Sequence, residues 1–384
     1  MSAINDPSFS LGIEEEYLLV DRATGELAKD PPAEILAECE RRLALQGQAG
    51  QVSPEFLRAQ IEVQTRVCKT AGEARADLAR LRRTVADVAA GYGLAPIAAS
   101  THPFADWGDV QASQERRYQQ IERDLQGVGR RLVICGLHVH IGIDDDELRI
   151  DLMNQAMYFL PHLLALSTSS PFWRGEDSGL KSYRLAVFNE LPRTGPPDYF
   201  ESYGEYRRQV GRMLDAGLID DATKLWWDIR PSARFPTLEM RITDVPTRLD
   251  DSIGIAAMFQ CILGLLWRLR RSNQRWRIYP HMLVKENRWR AQRYGYDQGL
   301  VDFGKGEVVP FARLLDELIE LTAPEAARFG CAGEVMGLRS ILARGTSAHR
   351  QLDVFKHAQA AGRTKAEALT AVIAWLAEET VAGL

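Results

Sequence analysis

The sequence lacks most features that mark specialised classes of protein. Its 384 residues contain 47 Lys and Arg against 52 Asp and Glu, a formal net charge of only −5. A dedicated nucleic-acid binder usually has a basic excess, which is missing here. No internal repeat or low-complexity tract is visible, and 46% hydrophobic with 26% charged residues is the ordinary globular mix. We therefore expect a folded globular protein with a sizeable core.

Cysteine is scarce, and no two cysteines are spaced as CxxC. There are five, an odd number that favours reduced thiols over a disulfide framework. The first residues show no basic segment followed by an apolar one, so no secretory signal is visible. The longest apolar stretch, 253–267, is too short to span a bilayer and is predicted to be a buried helix. Together these absences predict a cytoplasmic protein without a membrane partner.

What is present is a mixture of strand and helix patterns. Alternation and β-favouring residues predict four main strands and two shorter ones, at 9–20, 58–67, 132–143, 236–245, 94–99 and 225–230. Helical periodicity and capping signals predict helices between them, from Thr70, at 113–126, 146–168, 199–216, 250–276, 311–322 and 334–344, and from Thr364. Strand and helix do not alternate regularly, which favours an α+β fold with helices on one face of a sheet. No linker divides the chain, so we expect one domain, 1–384, with a helical C-terminal region from about 305.

The first strand carries three consecutive glutamates. Side chains two apart on a strand share a face, so Glu14 and Glu16 point one way and Glu15 points the other. Two carboxylates about 6–7 Å apart on one face repel each other unless something positive lies between them. The alternative is an exposed edge strand with solvated acids.

The other strands repeat this arrangement of charged groups. His138 and His140 share a face with Gly136 and Gly142, small residues that would leave room for a ligand. Each strand alone is a weak signal, because hydrogen-bonded histidines and cross-strand ion pairs are common. Taken together, four strands place charged or imidazole side chains opposite their apolar faces, adding Glu62, Glu239 and Arg241. If these faces coincide, one side of the sheet is a charged basin.

Such a ligand set is hard and rich in oxygen. Carboxylates with one or two imidazoles suit Mg²⁺ or Mn²⁺ better than a structural zinc ion. Arginines on the same face, Arg241 first, could hold phosphate oxygens. The chain has no Walker A loop, because Leu180 occupies the place of its second glycine. A nucleotide would therefore have to bind through metals and arginines on the sheet.

Two segments have polar compositions that allow more than one interpretation. The arginine-rich stretch 267–277 has the composition of a nucleic-acid patch, although we favour the polar end of a long helix. The long irregular stretch 170–197 is typical of an active-site loop, or of an ordinary surface excursion.

Five motifs in order resemble one known family. They are Gly12-Ile-Glu-Glu-Glu-Tyr17, Cys135-Gly-Leu-His-Val-His-Ile-Gly142, Phe188-Asn-Glu-Leu-Pro-Arg-Thr-Gly195, Leu238-Glu-Met-Arg-Ile-Thr-Asp-Val-Pro246 and Glu286-Asn-Arg-Trp-Arg-Ala-Gln-Arg-Tyr-Gly295. The chain thereby resembles the type-2 glutamate–cysteine ligases, also called carboxylate–amine ligases, over about residues 9–380. That family belongs to the glutamine synthetase superfamily. The resemblance implies a curved, mainly antiparallel sheet that binds ATP, divalent metals and the acid substrate on its concave face.

The resemblance also implies roles for particular residues. It suggests metal ligation by Glu14, Glu16, Glu62, His138 and Glu239. Arg241 resembles the arginine that faces the phosphate in such enzymes and, with Arg193, is a candidate catalytic residue. Looser matches suggest nucleotide contacts by Arg230, Asn287 and Arg293, and His140 is a candidate ligand or supporting residue.

The implied reaction is ATP-dependent joining of a carboxylate to an amine through an acyl phosphate. The implied substrates are small amino acids, glutamate and cysteine among them. The physiological pair and the oligomeric state stay open, with a homodimer as one possibility. A metal-dependent hydrolase using His138 and His140 is the alternative from another class, although such sites usually have more histidines. A nucleic-acid or partner-binding module using residues 267–293 is the third.

Overall fold

A seven-stranded sheet organises the fold. The structure is a computed structural model that describes residues 6–47, 50–106, 108 and 125–384. The strands of the large sheet are β1 (Leu11–Asp21), β2 (Gln51–Pro54), β3 (Gln60–Gln64), β4 (Leu94–Ile97), β5 (Leu137–Gly142), β10 (Ile229–Pro231) and β11 (Thr237–Met240). Small two-stranded sheets are formed by β6 (Phe172–Trp173), β7 (Glu176–Asp177), β8 (Thr194–Gly195), β9 (Trp226–Trp227), β12 (Leu300–Asp302) and β13 (Glu307–Val309).

The order of the large sheet brings the polar strands side by side. The order is β10-β11-β5-β1-β3-β2, with β4 also paired to β1, and every pairing is antiparallel. The registers place Glu14 opposite His138, and Glu239 opposite His140. They also place Glu16 opposite Glu62. Because facing residues in such a ladder project to the same side, the predicted charged faces of four strands coincide.

The helices of the chain surround this sheet, and not all of them lie on its apolar face. Among the described residues they are Glu34–Leu45, Ala71–Ala90, Gly127–Arg130, Asp146–Ala156, Leu160–Ser167, Arg184–Phe188, Tyr203–Asp215, Leu249–Arg271, His281–Tyr294, Phe311–Phe329, Ala332–Gly337, Arg339–Arg344, Ser347–Ala360 and Lys365–Val381, with a 3₁₀ turn at Ala222–Lys224. Helices Ala71–Ala90 and Leu249–Arg271 pack against β1. The α+β fold, with a mainly antiparallel sheet and with helices packed on its apolar face, is confirmed.

The long apolar stretch forms the central helix of the core. By length and composition, helix Leu249–Arg271 could cross a membrane, but 89% of its most apolar window is buried inside the protein. Its one interrupting polar residue, Gln260, donates a 2.7 Å hydrogen bond to the carbonyl of Phe9. The prediction of a buried core helix is thus confirmed.

The middle glutamate of β1 belongs to this covered side. Glu15 is fully buried and receives two 2.7 Å hydrogen bonds from the guanidinium of Arg82. Arg82 also donates to the carbonyls of Pro246 and Thr247, and Tyr17 donates its hydroxyl to Glu15. A buried ion pair is tolerated only when its remaining polar atoms are satisfied, which these contacts achieve.

Helix ends differ from the sequence prediction where tertiary packing decides. The predicted helix 146–168 is two helices, the second of which has Pro161 in its first turn. The predicted helix 311–322 continues to Phe329 with Pro324 inside it, because Glu325 and Ala326 still face the core. The predicted helix 113–126 lies almost entirely outside the described residues.

Candidate active site

A cavity of about 600 Å³ lies over the polar face of the sheet. Its lining brings together eight of the residues singled out from the sequence, namely Glu14, Glu16, Glu62, His138, His140, Arg230, Glu239 and Arg241. Seven of these side chains come from five strands, and Arg241 directly follows β11. The antiparallel registers assemble them.

Within the described residues, two carboxylate–imidazole groups share His138. One contains Glu14 and Glu239 and the other contains Glu16 and Glu62; in each group the candidate ligand atoms lie within 4.8 Å of one another. The Nδ1 atom of His138 is 3.2 Å from a Glu14 oxygen, and its Nε2 atom is 3.8 Å from a Glu16 oxygen. This geometry can hold one or two cations side by side.

The electrostatics of these groups also fit a cation. Burial and the charges of Glu55, Glu14 and Glu16 raise the pKa of Glu62 well above its usual value. Burial and Arg241 lower the pKa of His138, which keeps the ring neutral. Crowded carboxylates beside a neutral imidazole form the donor set that Mg²⁺ or Mn²⁺ prefers.

Hydrogen bonds from the two histidines oppose this crowding at Glu14. Burial favours its neutral form, yet the bonds from His138 and His140 hold the pKa of Glu14 well below its usual value. The Nδ1 atom of His140 is 2.9 Å from the hydroxyl of Thr237, which fixes the ring against β11. A hydrogen-bonded imidazole beside a ligand carboxylate is how metal sites are commonly oriented.

The arginines border the carboxylates on one side. Arg230 makes a bidentate contact to Glu239, at 2.8 and 3.1 Å, and donates to the carbonyls of Thr223 and Leu225. Arg241 also contacts Glu239 and lies 3.4 Å from Nδ1 of His138. Arg230 therefore positions Glu239, whereas the buried Nε of Arg241 has no hydrogen-bond partner among the described residues.

Arg184 is a cavity residue from the possible active-site loop 170–197, to which sequence reasoning assigned no role of its own. Its side chain is buried and donates to the carbonyls of Arg241 and Ile242, while its Nε finds no partner in the described part of the chain. A Cβ atom at Gly136 would lie 2.4 Å from this guanidinium. Gly136 in the β5 motif therefore makes room for Arg184. The glycine at this position was the one sequence signal that a large side chain packs against the strand.

The interpretation of the two β5 glycines as ligand space is wrong for Gly136, because Arg184 occupies the space beside it. A Cβ atom at Gly142 would meet the hydroxyls of Ser8 and Ser10, but Gly142 also lines a smaller cavity.

Three of the proposed site residues are not among those that line the cavity. Arg193 lies behind its wall, 5.3 Å from the ring of the lining residue Trp226, and donates to the carbonyl of Lys224. The Asn287 amide makes two hydrogen bonds to the backbone of Val301. Arg293 contacts the carbonyl of Gly179. Motif matching placed these residues near the site without showing the direction of their side chains.

The arginine-rich stretch contacts carboxylates of the same chain. Arg268 pairs with Glu325 at 2.6 Å, and Arg271 pairs with Asp6 at 2.6 Å. Asp151 contacts both Arg270 and Arg275. The stretch begins within the last turns of helix Leu249–Arg271, which supports the interpretation as the polar end of a core helix.

The comparisons with known proteins agree with this arrangement. Residues 10–371 match the glutamate–cysteine ligase family 2 (GCS2). A Rhodospirillum rubrum protein named "Putative glutamate–cysteine ligase 2" is 62% identical over 383 residues, covering 99% of this chain and 98% of its own length. A Jannaschia protein of the same name is 54% identical over 375 residues, covering 98% and 97%.

Solved structures share the fold at low identity. The Francisella tularensis glutamate–cysteine ligase in complex with AMP superimposes with a TM-score of 0.69 at 13% identity, over 99% of this chain and 90% of that one. A bifunctional glutathione synthetase from Pasteurella multocida superimposes with a TM-score of 0.66 at 13% sequence identity. The match covers 97% of this chain and 52% of that one.

Fold, cavity and relatives together define the class, an ATP-dependent ligase that forms carbon–nitrogen bonds. The chain belongs to glutamate–cysteine ligase family 2.

Proposed function

We propose that this protein joins a carboxylate to an amine through an acyl phosphate, at the expense of ATP. The observation that supports this most directly is the pair of carboxylate–imidazole groups around His138, bordered by Arg241 and Arg184 in one cavity. The names of the relatives supply the pair to test first, glutamate through its side-chain carboxylate and cysteine.

Within this proposal, Mg²⁺ or Mn²⁺ would be held by Glu14, Glu16, Glu62, His138 and Glu239. Such ions neutralise phosphate charge and orient the phosphoryl group. Arg230 keeps Glu239 in place through its bidentate contact. Arg241 and Arg184 line the cavity, and their guanidinium groups would donate to phosphate or acyl-phosphate oxygens. The catalytic role of Arg193 and the contacts of Asn287 and Arg293 with the nucleotide stay predictions.

The proposed chemistry has two steps. A carboxylate oxygen attacks the γ-phosphorus of ATP, and ADP leaves. The amine nitrogen then attacks the acyl carbon, so that a carbon–nitrogen bond forms and phosphate leaves with the electron pair of the broken carbon–oxygen bond. Of the two protons lost by the ammonium group, one ends on phosphate and one in solvent. The site contributes positioning and charge neutralisation and needs no protein nucleophile.

The setting of this activity is part of the proposal. We expect one catalytic domain, working in the cytoplasm on small amino-acid substrates as a monomer or homodimer. All five cysteines are free and buried, which fits a reducing compartment. The hydrolase alternative has less support, because the family match and the relatives indicate a ligase and none of them indicates a hydrolase.

The test is ADP release by the purified protein with ATP, Mg²⁺ and matched mixtures of acids and amines. We expect release that requires metal, acid and amine together, beginning with glutamate and cysteine. Hydroxylamine is a useful surrogate because it is small and reacts readily with acyl phosphates. No ADP above background with any mixture would overturn the proposal, and ATP-independent cleavage of amides or esters would favour the hydrolase.

A further inference from the structure

A second cavity adjoins the candidate reaction centre. It has a volume of about 250 Å³ and shares Glu14, Gln64, His140 and Phe235 with the main cavity. The ring of Phe235 is 54% exposed and stands edge-on to the ring of His140, with centroids 6.1 Å apart. These two rings therefore form part of a wall common to both cavities, beside Glu14.

The two cavities differ in charge. The larger one is lined by four arginines, Arg184, Arg230, Arg234 and Arg241. Among the described residues that line the smaller one there is no lysine or arginine, and the acidic groups are Glu14 and Asp144. The rest are chiefly hydroxyl and apolar residues, namely Ser8, Ser10, Thr65, Thr237, Leu11, Ile13, Val67 and Pro236.

The remaining group that could be cationic is already engaged. His140 has Nδ1 at 2.9 Å from the hydroxyl of Thr237 and Nε2 at 3.3 Å from a Glu14 oxygen. Nδ1 is thus hydrogen-bonded, and Nε2 is a buried atom, so neither nitrogen is directed at a ligand in the small cavity.

A carboxylate placed in the small cavity would meet the acid Asp144, beside the carboxylate of the proposed metal group, and no free cation in the described lining. The guanidinium of Arg149, which lies near Asp144, is itself paired with Asp146 and donates to the carbonyl of Phe235.

The volumes of the two cavities suit ligands of different size. Ligand pockets for drug-sized molecules span roughly 300–1,000 Å³, so the small cavity suits only a small molecule. The large cavity has both the volume and the arginines for a nucleotide and its phosphates. An ammonium group, in contrast, is attracted to the exposed carboxylate of Asp144, since Glu14 belongs to the proposed metal group.

We infer that the small cavity is the binding site for the amine substrate and that it favours amines without a carboxylate over α-amino acids. This inference rests on the proposed ligase function and specifies its amine. It predicts that cysteamine, which is cysteine without the carboxylate, is the better acceptor of the two.

The first measurement compares cysteamine with cysteine in the wild-type protein, with the acid substrate fixed and hydroxylamine as the reference acceptor. Because like charges brought together are strongly disfavoured, kcat/KM for cysteamine should exceed that for cysteine by at least about tenfold. The ratio of the two values cancels differences in protein activity.

Charge reversal in the cavity should change that ratio. In Asp144→Lys, a cation replaces the proposed anion, and the preference for cysteamine over cysteine should fall by about tenfold. Glu378→Lys is the matched control, an exposed acid that lines neither cavity, and it should leave the ratio unchanged.

A second pair of variants tests the volume. Val67 is 76% exposed and lines the small cavity, whereas Leu45 is 74% exposed and lines neither. Val67→Trp should lower kcat/KM for cysteamine relative to hydroxylamine several-fold, and Leu45→Trp should not change that relation.

The outcomes separate this inference from the function on which it rests. If wild-type protein releases no ADP with hydroxylamine or any amine, the ligase proposal itself fails. If it turns over but prefers cysteine, or if Asp144→Lys and Val67→Trp behave like their controls, the amine-site inference is overturned and the ligase proposal stands.

Discussion

Three consecutive glutamates on β1 have opposite environments. Glu15 points into the core, where Arg82 and Tyr17 satisfy both of its oxygens. Glu14 and Glu16 point into the cavity, where other carboxylates and a neutral imidazole surround them. The pleat alone separates these environments, because neighbouring side chains on a strand project to opposite faces.

The difference separates a structural charge from a functional one. On the covered face a negative charge is matched by a cation of the protein, so that removing either partner should weaken folding. On the open face negative charge is concentrated beyond what the neighbouring arginines match, so that removing it should relieve repulsion and weaken function. Substitutions on the two faces should therefore change different measured quantities.

The largest expected effect is on folding, from Arg82→Met. This change leaves the carboxylate of Glu15 buried without its cation, which should lower the free energy of unfolding by about 3–5 kcal/mol. Urea denaturation followed by circular dichroism measures it. A second change, Glu15→Gln, should recover part of the loss because it removes the unpaired charge.

Arg83→Met is the matched control for that prediction. Arg83 lies next to Arg82 on the same helix but is exposed, and exposed substitutions usually change stability by about 0.5 kcal/mol or less. Equal unfolding midpoints for Arg82→Met and Arg83→Met would show that the buried ion pair on the covered face does not contribute to stability.

Much of the fold can be predicted from the periodicity of apolar residues and from composition. The alternation around Glu62 and Glu239 locates two strands of the sheet, and the apolar run within 250–276 locates the core helix. Short elements escaped prediction because their local signal is weak. The edge strand β2 has only four residues, and helix Phe311–Phe329 continues past Pro324 because packing outweighs local propensity.

The site could be predicted where strand geometry applies and not elsewhere. On a strand, the face of Glu14, His138 or Glu239 follows from its position, and the registers of the sheet then bring those faces together. On helices and loops, the spacing of residues in the sequence does not show which way a side chain points in the folded protein. For this reason Asn287 was matched to a motif although its amide binds Val301, and Arg184 was noted only as part of the possible active-site loop 170–197.

The next effect is on catalysis, from Glu16→Gln on the open face. Glutamine keeps an oxygen to accept the 2.7 Å hydrogen bond from the backbone of Gly136, so the unfolding midpoint should not fall. The loss of one charge from the cation site should lower kcat/KM for ADP release by about 10²–10³-fold, the usual range for one electrostatic contributor.

Glu26→Gln is the control for this prediction. Glu26 follows the turn after β1 and is exposed, and its substitution should alter neither activity nor stability. If Glu16→Gln were to unfold as early as Arg82→Met, the division between a structural and a functional face would be contradicted.

The smallest expected effect concerns protons within the open face. Because the pKa of Glu62 is raised well above its usual value, a proton competes with a metal for this carboxylate. Metal ligands must be deprotonated, so Mn²⁺ affinity should rise with pH until Glu62 is ionised, by up to about tenfold per pH unit for one displaced proton. Calorimetric titration between pH 6 and 8, in two buffers of different ionisation enthalpy, measures both the affinity and the released proton.

Two variants assign that proton to a residue. Glu62→Gln should bind Mn²⁺ more weakly and remove most of the pH dependence, because the competing carboxylate is gone. Glu55→Gln removes a charge that raises the pKa of Glu62, and should shift the rise in affinity to lower pH. A pH profile that is the same in the wild type and both variants would mean that the bound cation does not displace a proton from Glu62. The crowding of carboxylates on the open face would then have to be balanced by the arginines alone.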